Sequence, residues 1–126
     1  MSKINVTAPL APPAVGPYSH AVVVNGLVYT AGQIGLIPGT KEFADGGIQG
    51  QTAQVLENLK GVLEASGSQL EKVVKTTVFL ANMDDFAAMN EIYARYFWRN
   101  RPARSAVEVS RLPLGALVEI EAIAQV

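Results

Sequence analysis

The chain has 126 residues, of which 49% are hydrophobic and 17% charged, with a net charge of −1, one histidine and no cysteine. This size and apolar share suit one domain over residues 1–126 with a real core, and exclude an extended disordered chain. The missing cysteines exclude disulfides, thiolate catalysis and thiolate-ligated metal, His20 alone cannot build a histidine-rich zinc site, and the near-neutral charge gives no long-range pull on nucleic acid or an anionic membrane.

Pro9, Pro12, Pro13 and Pro17 fall within residues 8–17. Proline lacks an N–H and resists regular pairing, so this stretch reads as an extended arm over the surface. Ala21 to Val24 and Leu27 to Ala31 flank Asn25-Gly26, a pair that tolerates positive φ at both central turn positions and so predicts a hairpin. Residues 32–50 contain six glycines and Pro38 and read as a loop, with room for a short strand near Ile34 to Ile37. From about Gln51 to Ala65, Val55, Leu56, Leu59, Val62 and Leu63 recur at spacings of three and four, the stripe of an amphipathic helix. Gly67 is placed to close it as a left-handed cap.

Lys72 to Leu80 is rich in β-branched residues and reads as a long strand. Asn82 or Asp84 is placed to cap a second helix, about Asp85 to Trp98. Its stripe of Phe86, Met89, Tyr93, Tyr96 and Phe97 reads as core and not as an aromatic ligand cage. Residues 104–110 and 117–125 form the last strands, joined across Leu112-Pro113-Leu114-Gly115. The order ββ-α-β-α-ββ is an α+β pattern in which two helices cover one face of a sheet. The other face would expose Val, Ala and Leu side chains, for which a partner subunit is the simplest cover. The mean hydropathy of +0.22 also points to self-association. No apolar run approaches the ~20 residues of a membrane span. Lys3 is the only Lys or Arg before Lys41, so no cationic leader is legible.

Charge is placed unusually near the C-terminus. Arg104 stands at the mouth of one strand and Glu119 and Glu121 lie inside the next. Removing an ion from water is costly unless a partner compensates, and a small-molecule carboxylate would supply one for arginine. Strand alternation puts Glu119 and Glu121 on the same face and does not choose between them.

Several short stretches occur together and in order: Gly16-Pro17-Tyr18-Ser19, Ala31-Gly32-Gln33-Ile34, Gln51-Thr52, Asn58-Leu59, Val74 to Leu80, Asn90-Glu91-Ile92-Tyr93, Pro102-Ala103-Arg104-Ser105, and Leu112-Pro113 with Glu119 to Ala124. In these the chain resembles, almost end to end, the RidA (YjgF/YER057c/UK114) family of reactive-intermediate deaminases. The resemblance implies a chorismate-mutase-like (bacillus type) fold and a homotrimer with sites at subunit interfaces. It also implies hydrolysis of 2-imino acids and their enamine tautomers, such as 2-aminoacrylate, 2-iminopropanoate and 2-iminobutanoate, to 2-keto acids and ammonia, with no cofactor and no metal. The expected setting is the cytoplasm, or the mitochondrial matrix where a transit segment has been removed.

Carried over residue by residue, the resemblance gives Arg104 the substrate carboxylate, which a planar guanidinium meets with a two-toothed fork. It gives Glu119 the water and the proton transfers, leaving Glu121 to pair with a nearby lysine or arginine. Tyr18 would cap the pocket from the neighbouring subunit, the Gly32 carbonyl would accept from the substrate nitrogen, and the Ala106 N–H would help hold the carboxylate. Asn90 is a further substrate-binding candidate, while His20 is expected to serve structure or the rim. Position 106 is often cysteine in the family and here is alanine, which leaves a main-chain contact intact but removes any thiol role; Ala31 replaces a common hydroxyl residue. Two other readings stand beside the deaminase. One is an RNA-cleaving translation inhibitor, suggested by five arginines between positions 95 and 111 but opposed by the acidic balance and the single histidine. The other is a non-enzymatic trimer that binds small carboxylates or acts as a chaperone.

Overall fold

The computed structural model describes residues 2–126. The Asn25-Gly26 turn forms as expected, with φ of 52° and 77°. It joins strand β2 (Ala21–Val24) to β3 (Leu27–Thr30) with Val24 opposite Leu27. A strand absent from the sequence prediction, β1 (Ile4–Val6), adds antiparallel to β2. A strand of three residues is too short for alternation to be visible. Strand β4 is Gln33–Ile34 and stops short of the predicted Ile37. Gly35 lies flat against the helix that follows, where an added Cβ would stand 2.9 Å from Gln51 Cα, and the chain turns away there.

Helix α1 (Gly47–Ala65) begins one turn before the predicted start at Gln51. Glycines at 46, 47 and 50 hid that turn, because glycine is a poor helix former. The backbone nevertheless needs them: Gly46 and Gly47 have φ of 107° and 63°, and the Asp45 carbonyl occupies the place of a Cβ at Gly50. All five stripe residues are fully buried, and Gly67 caps the helix at φ 83°. A 3-10 turn (Leu70–Lys72) leads into β5 (Val73–Leu80). Of the two cap candidates Asn82 serves, its Oδ1 accepting the Asp84 N–H at 2.9 Å; a 3-10 turn (Met83–Asp85) then enters α2 (Phe86–Phe97). Strands β6 (Ala103–Glu108) and β7 (Val118–Gln125) complete the fold, with a 3-10 turn (Pro113–Gly115) between them.

The sheet order is β1-β2-β3-β7-β5-β6, with β4 also pairing β7. Only β5 and β6 run parallel, so the sheet is mixed, as the α+β expectation required. Val28, Val78, Leu80, Val118 and Ile120 pack with the α1 stripe, Met89 and Phe97 in one core. Each large apolar side chain buried this way contributes roughly 1.5–3 kcal/mol. The alternate residues of the same strands face away from the helices. Tyr29 and Val107 are exposed there, and Phe79 and Ile123 half-buried, in company with Lys75, Glu119 and Glu121. No helix among the described residues covers that face, which matches the expected uncovered side.

Candidate active site

Strand β6 is an edge of the sheet, and this decides what its side chains can meet. Arg104 stands opposite Thr76, a fully buried residue of the helix-covered face. Its Nη1 donates to Asn90 Oδ1 at 2.7 Å. Its guanidinium carbon lies 4.7 Å from the centre of the Tyr93 ring and 5.3 Å from that of Phe86, within reach of cation–π attraction. Tyr93 is in turn fixed by a 2.7 Å hydrogen bond between its hydroxyl and Thr76 Oγ1. Burial of that hydroxyl, partly offset by the Thr76 bond and the Arg104 charge, raises its pKa. The partner of Arg104 is thus an amide and not a carboxylate, so its charge is oriented without being neutralised. The group opens on a cavity of about 360 Å³ lined by Asn90, Tyr93, Phe97, Trp98, Arg101 and Pro102. The α2 stripe is core as expected, with Met89, Tyr93 and Phe97 buried, but Phe86 and Tyr93 also form the sleeve of this arginine.

The edge position also exposes main-chain donors. Val109 donates its N–H to Leu80 O, so alternation directs the amides of Val107 and Ser105 towards β5 as well. The Ala106 N–H then points to the unpaired edge, two residues from Arg104.

Glu119 lies on the other side of the sheet. It stands opposite Phe79 in β5 and Ile34 in β4, on the face without helices. The chain leaves the sheet after Thr30, whose Oγ1 accepts the Ala122 N–H at 3.0 Å, and returns at Gln33 opposite Ile120. Gly32 occupies the step between. A Cβ there would lie 2.8 Å from Glu119 Cδ and 2.9 Å from its Cγ, so the carboxylate is seated against the glycine backbone. Burial, and after it the charge of Glu121, holds the Glu119 carboxyl above the usual carboxylate range. Glu121 itself is exposed. The lysine on its face, Lys75, donates to Ser105 Oγ at 3.0 Å, so the cationic partner expected for Glu121 is otherwise engaged.

Tyr18 is 53% exposed on the proline arm and lines a cavity of about 230 Å³ with Pro12, Pro13, Val15, Gly32 and Leu114. His20 is buried, with Nδ1 accepting the Ala8 N–H at 2.8 Å and Nε2 2.7 Å from Pro12 O. An amide donor at Nδ1 requires the proton on Nε2, which then donates to Pro12; the imidazole is neutral and fully engaged.

The six candidate residues therefore form two groups in one chain. Arg104, Asn90 and Ala106 gather at the β6 edge on the helix side, whereas Glu119 and Gly32, with Tyr18 beside Gly32, lie on the other. No single small acid can touch both through the sheet. Two residues that position the second group escaped the sequence prediction of sites. Gln51 Oε1 accepts the Leu117 N–H at 2.9 Å, and Asn58 Nδ2 donates to Ile34 O at 3.1 Å and Leu36 O at 2.9 Å. Both are buried, and a polar residue beside the apolar stripe of an amphipathic helix was the available signal. Among the described residues no three His, Asp or Glu side chains cluster to hold a metal ion, and no helix is long and apolar enough to cross a membrane.

The family model described as endoribonuclease L-PSP matches residues 8–126. A RutC family protein of Pyrococcus horikoshii is 55% identical over 114 residues, 90% of each chain. The 2-iminobutanoate/2-iminopropanoate deaminase of Mus musculus is 50% identical over 114 residues, 90% of this chain and 84% of that one. The crystal structure of RidA from an Antarctic Psychrobacter superposes with a TM-score of 0.92 at 43% identity, covering 98% of this chain and 99% of the other.

Proposed function

Because the chain belongs to the RidA family, whose model is described as endoribonuclease L-PSP, we propose that it hydrolyses short 2-imino acids and their enamine tautomers to 2-keto acids and ammonia. The observation that carries this reading is the pairing of an oriented but uncompensated Arg104 with a Glu119 held above the usual carboxylate range. An anionic substrate supplies the missing charge for the first. The second, its pKa raised by burial and the Glu121 charge, accepts a proton more readily than an exposed carboxylate does.

In this mechanism Arg104 grips the substrate carboxylate, helped by the Ala106 N–H, and Asn90 holds the guanidinium in place. The oxygen of water bonds to C2 while the C=N π pair moves to nitrogen. Glu119 takes a proton from that water and returns it to the nitrogen. The C2–N bond then breaks as the new hydroxyl becomes a carbonyl, and its proton leaves with nitrogen as ammonia. The Gly32 carbonyl accepts from the substrate nitrogen, and Tyr18 closes the cleft. The chemistry needs no cofactor. Since the two groups sit on opposite faces of one sheet, each site takes Arg104 from one protomer and Glu119 from another. A homotrimer with three such sites accommodates this and covers the apolar open face.

The family description and four exposed arginines (Arg95, Arg99, Arg101, Arg111) raise RNA cleavage as a second reading. The imidazole does not support it, because both His20 nitrogens are engaged in the protein interior. The direct test generates 2-aminoacrylate with a serine dehydratase and follows pyruvate. The protein should accelerate pyruvate release at catalytic concentration, independently of moderate salt. No acceleration, or ribonuclease activity that falls steeply with salt, would overturn the reading.

A further inference from the structure

We propose that His20, outside the catalytic groups, is a positioning residue that sets the arm wall of the substrate cleft. The inference rests on the deaminase reading for its substrate. Through its ring His20 ties two points of the arm to the β2–β3 hairpin, whose backbone ladder continues through residue 20 to Ala31. Its Nδ1 holds the Ala8 amide, its Nε2–H holds the Pro12 carbonyl, and its own carbonyl accepts the Ala31 N–H at 2.9 Å. The arm needs such a clasp. Prolines at 9, 12, 13 and 17 remove the donors with which it could pair to a strand. Ala8 and Ala11 dip into the core, whereas Leu10 and Val15 are 77% and 83% exposed, so apolar burial fixes the arm only at isolated points.

The third bond reaches the residue before Gly32, against which Glu119 is seated. The clasp therefore ties two walls of one cavity: Pro12, Pro13, Val15 and Tyr18 on the arm, Gly32 on the step between β3 and β4. Those arm side chains are rigid or apolar and carry no acid–base group besides the Tyr18 phenol. Their contribution is to shape and enclose a short aliphatic substrate, so loss of the clasp should weaken binding more than the chemical step.

The test compares wild type with His20→Ala and His20→Asn; in the latter, Oδ1 can replace Nδ1 as acceptor for Ala8 but nothing reaches Pro12. Readouts are amide exchange at Ala8, affinity for 2-oxobutanoate by calorimetry, and kcat and KM for imine hydrolysis. For His20→Ala, exchange at Ala8 should rise and affinity fall by about tenfold each, as expected for lost buried hydrogen bonds, with kcat changed less than about threefold. His20→Asn should restore protection at Ala8 and recover only part of the affinity, and it carries the test if His20→Ala fails to assemble. A freed Ala8 amide with unchanged affinity, an unchanged amide, or equal losses in kcat and affinity would overturn the proposal. A wild-type protein that does not bind 2-oxobutanoate would remove the deaminase reading, and this inference with it.

Discussion

Arg104 and Glu119, the proposed carboxylate anchor and proton-transfer group, differ in their surroundings. Arg104 keeps its charge because Asn90 offers an amide oxygen, and its plane is set by the rings of Phe86 and Tyr93. Arg104→Lys retains the charge but not the fork, and one lost charge-assisted bond is worth about 1.5–3 kcal/mol, so kcat/KM should fall by about ten- to a hundredfold at nearly unchanged melting temperature. Glu119 differs from Glu121 in a way the sequence could not reveal. Alternation placed both on one face, but only Glu119 is half-buried against Gly32. Burial and the neighbouring charge both disfavour its ionised form, so its folded pKa exceeds the unfolded one. A base must be ionised, and activity should therefore fall as pH drops through that raised value. Glu119→Gln should abolish this limb and slow kcat by about 10²–10⁴-fold with binding retained. Glu121→Gln removes one of the two causes and should move the limb to lower pH. The linkage to stability has the opposite sense: the folded state binds the extra proton, so the group's contribution is full below the unfolded pKa and is lost as pH rises through the folded one. Glu119→Gln should accordingly melt higher than wild type at neutral pH.

The elements that bring these residues into place were legible where the cause is local. Asn25-Gly26 specifies its own turn, the α1 stripe its own helix, and the β-branched run its own strand. The proline arm was legible only as an arm; the clasp to His20 depends on contacts across the fold. The first turn of α1 was masked by glycines that serve positive φ at 46 and 47 and close approach at 50, and the parallel pairing of β5 with β6 leaves no mark in either strand. That pairing makes β6 an edge and turns the Ala106 amide outward. Gly32 belongs to the same class, since its need for a bare Cα comes from a carboxylate far along the chain. Gly32→Ala should displace Glu119 without unfolding the protein. A displacement of about 1 Å can cost about a hundredfold in rate, so kcat should fall at least tenfold while circular dichroism stays unchanged. Wild-type turnover in that variant would separate Gly32 from the seat of Glu119.

At the scale of the molecule the informative fact is the separation of the two groups. The sequence indicated an uncovered sheet face and a shared crevice, but not that a single chain holds its arginine and its glutamate on opposite sides of one sheet. Tyr29 and Val107, exposed on the open face, and the half-buried Phe79 and Ile123 give other protomers an apolar surface to cover. Under the proposed function, assembly and catalysis are one requirement. The most direct measurement mixes two inactive variants, Arg104→Ala and Glu119→Gln, in equal amounts, with dissociation and reassembly, and follows imine hydrolysis. Sites built across protomers should regain an intact pair in about a quarter of cases, so activity should return to about a quarter of wild type. Activity that stays at the level of the separate variants would contradict a site shared between protomers.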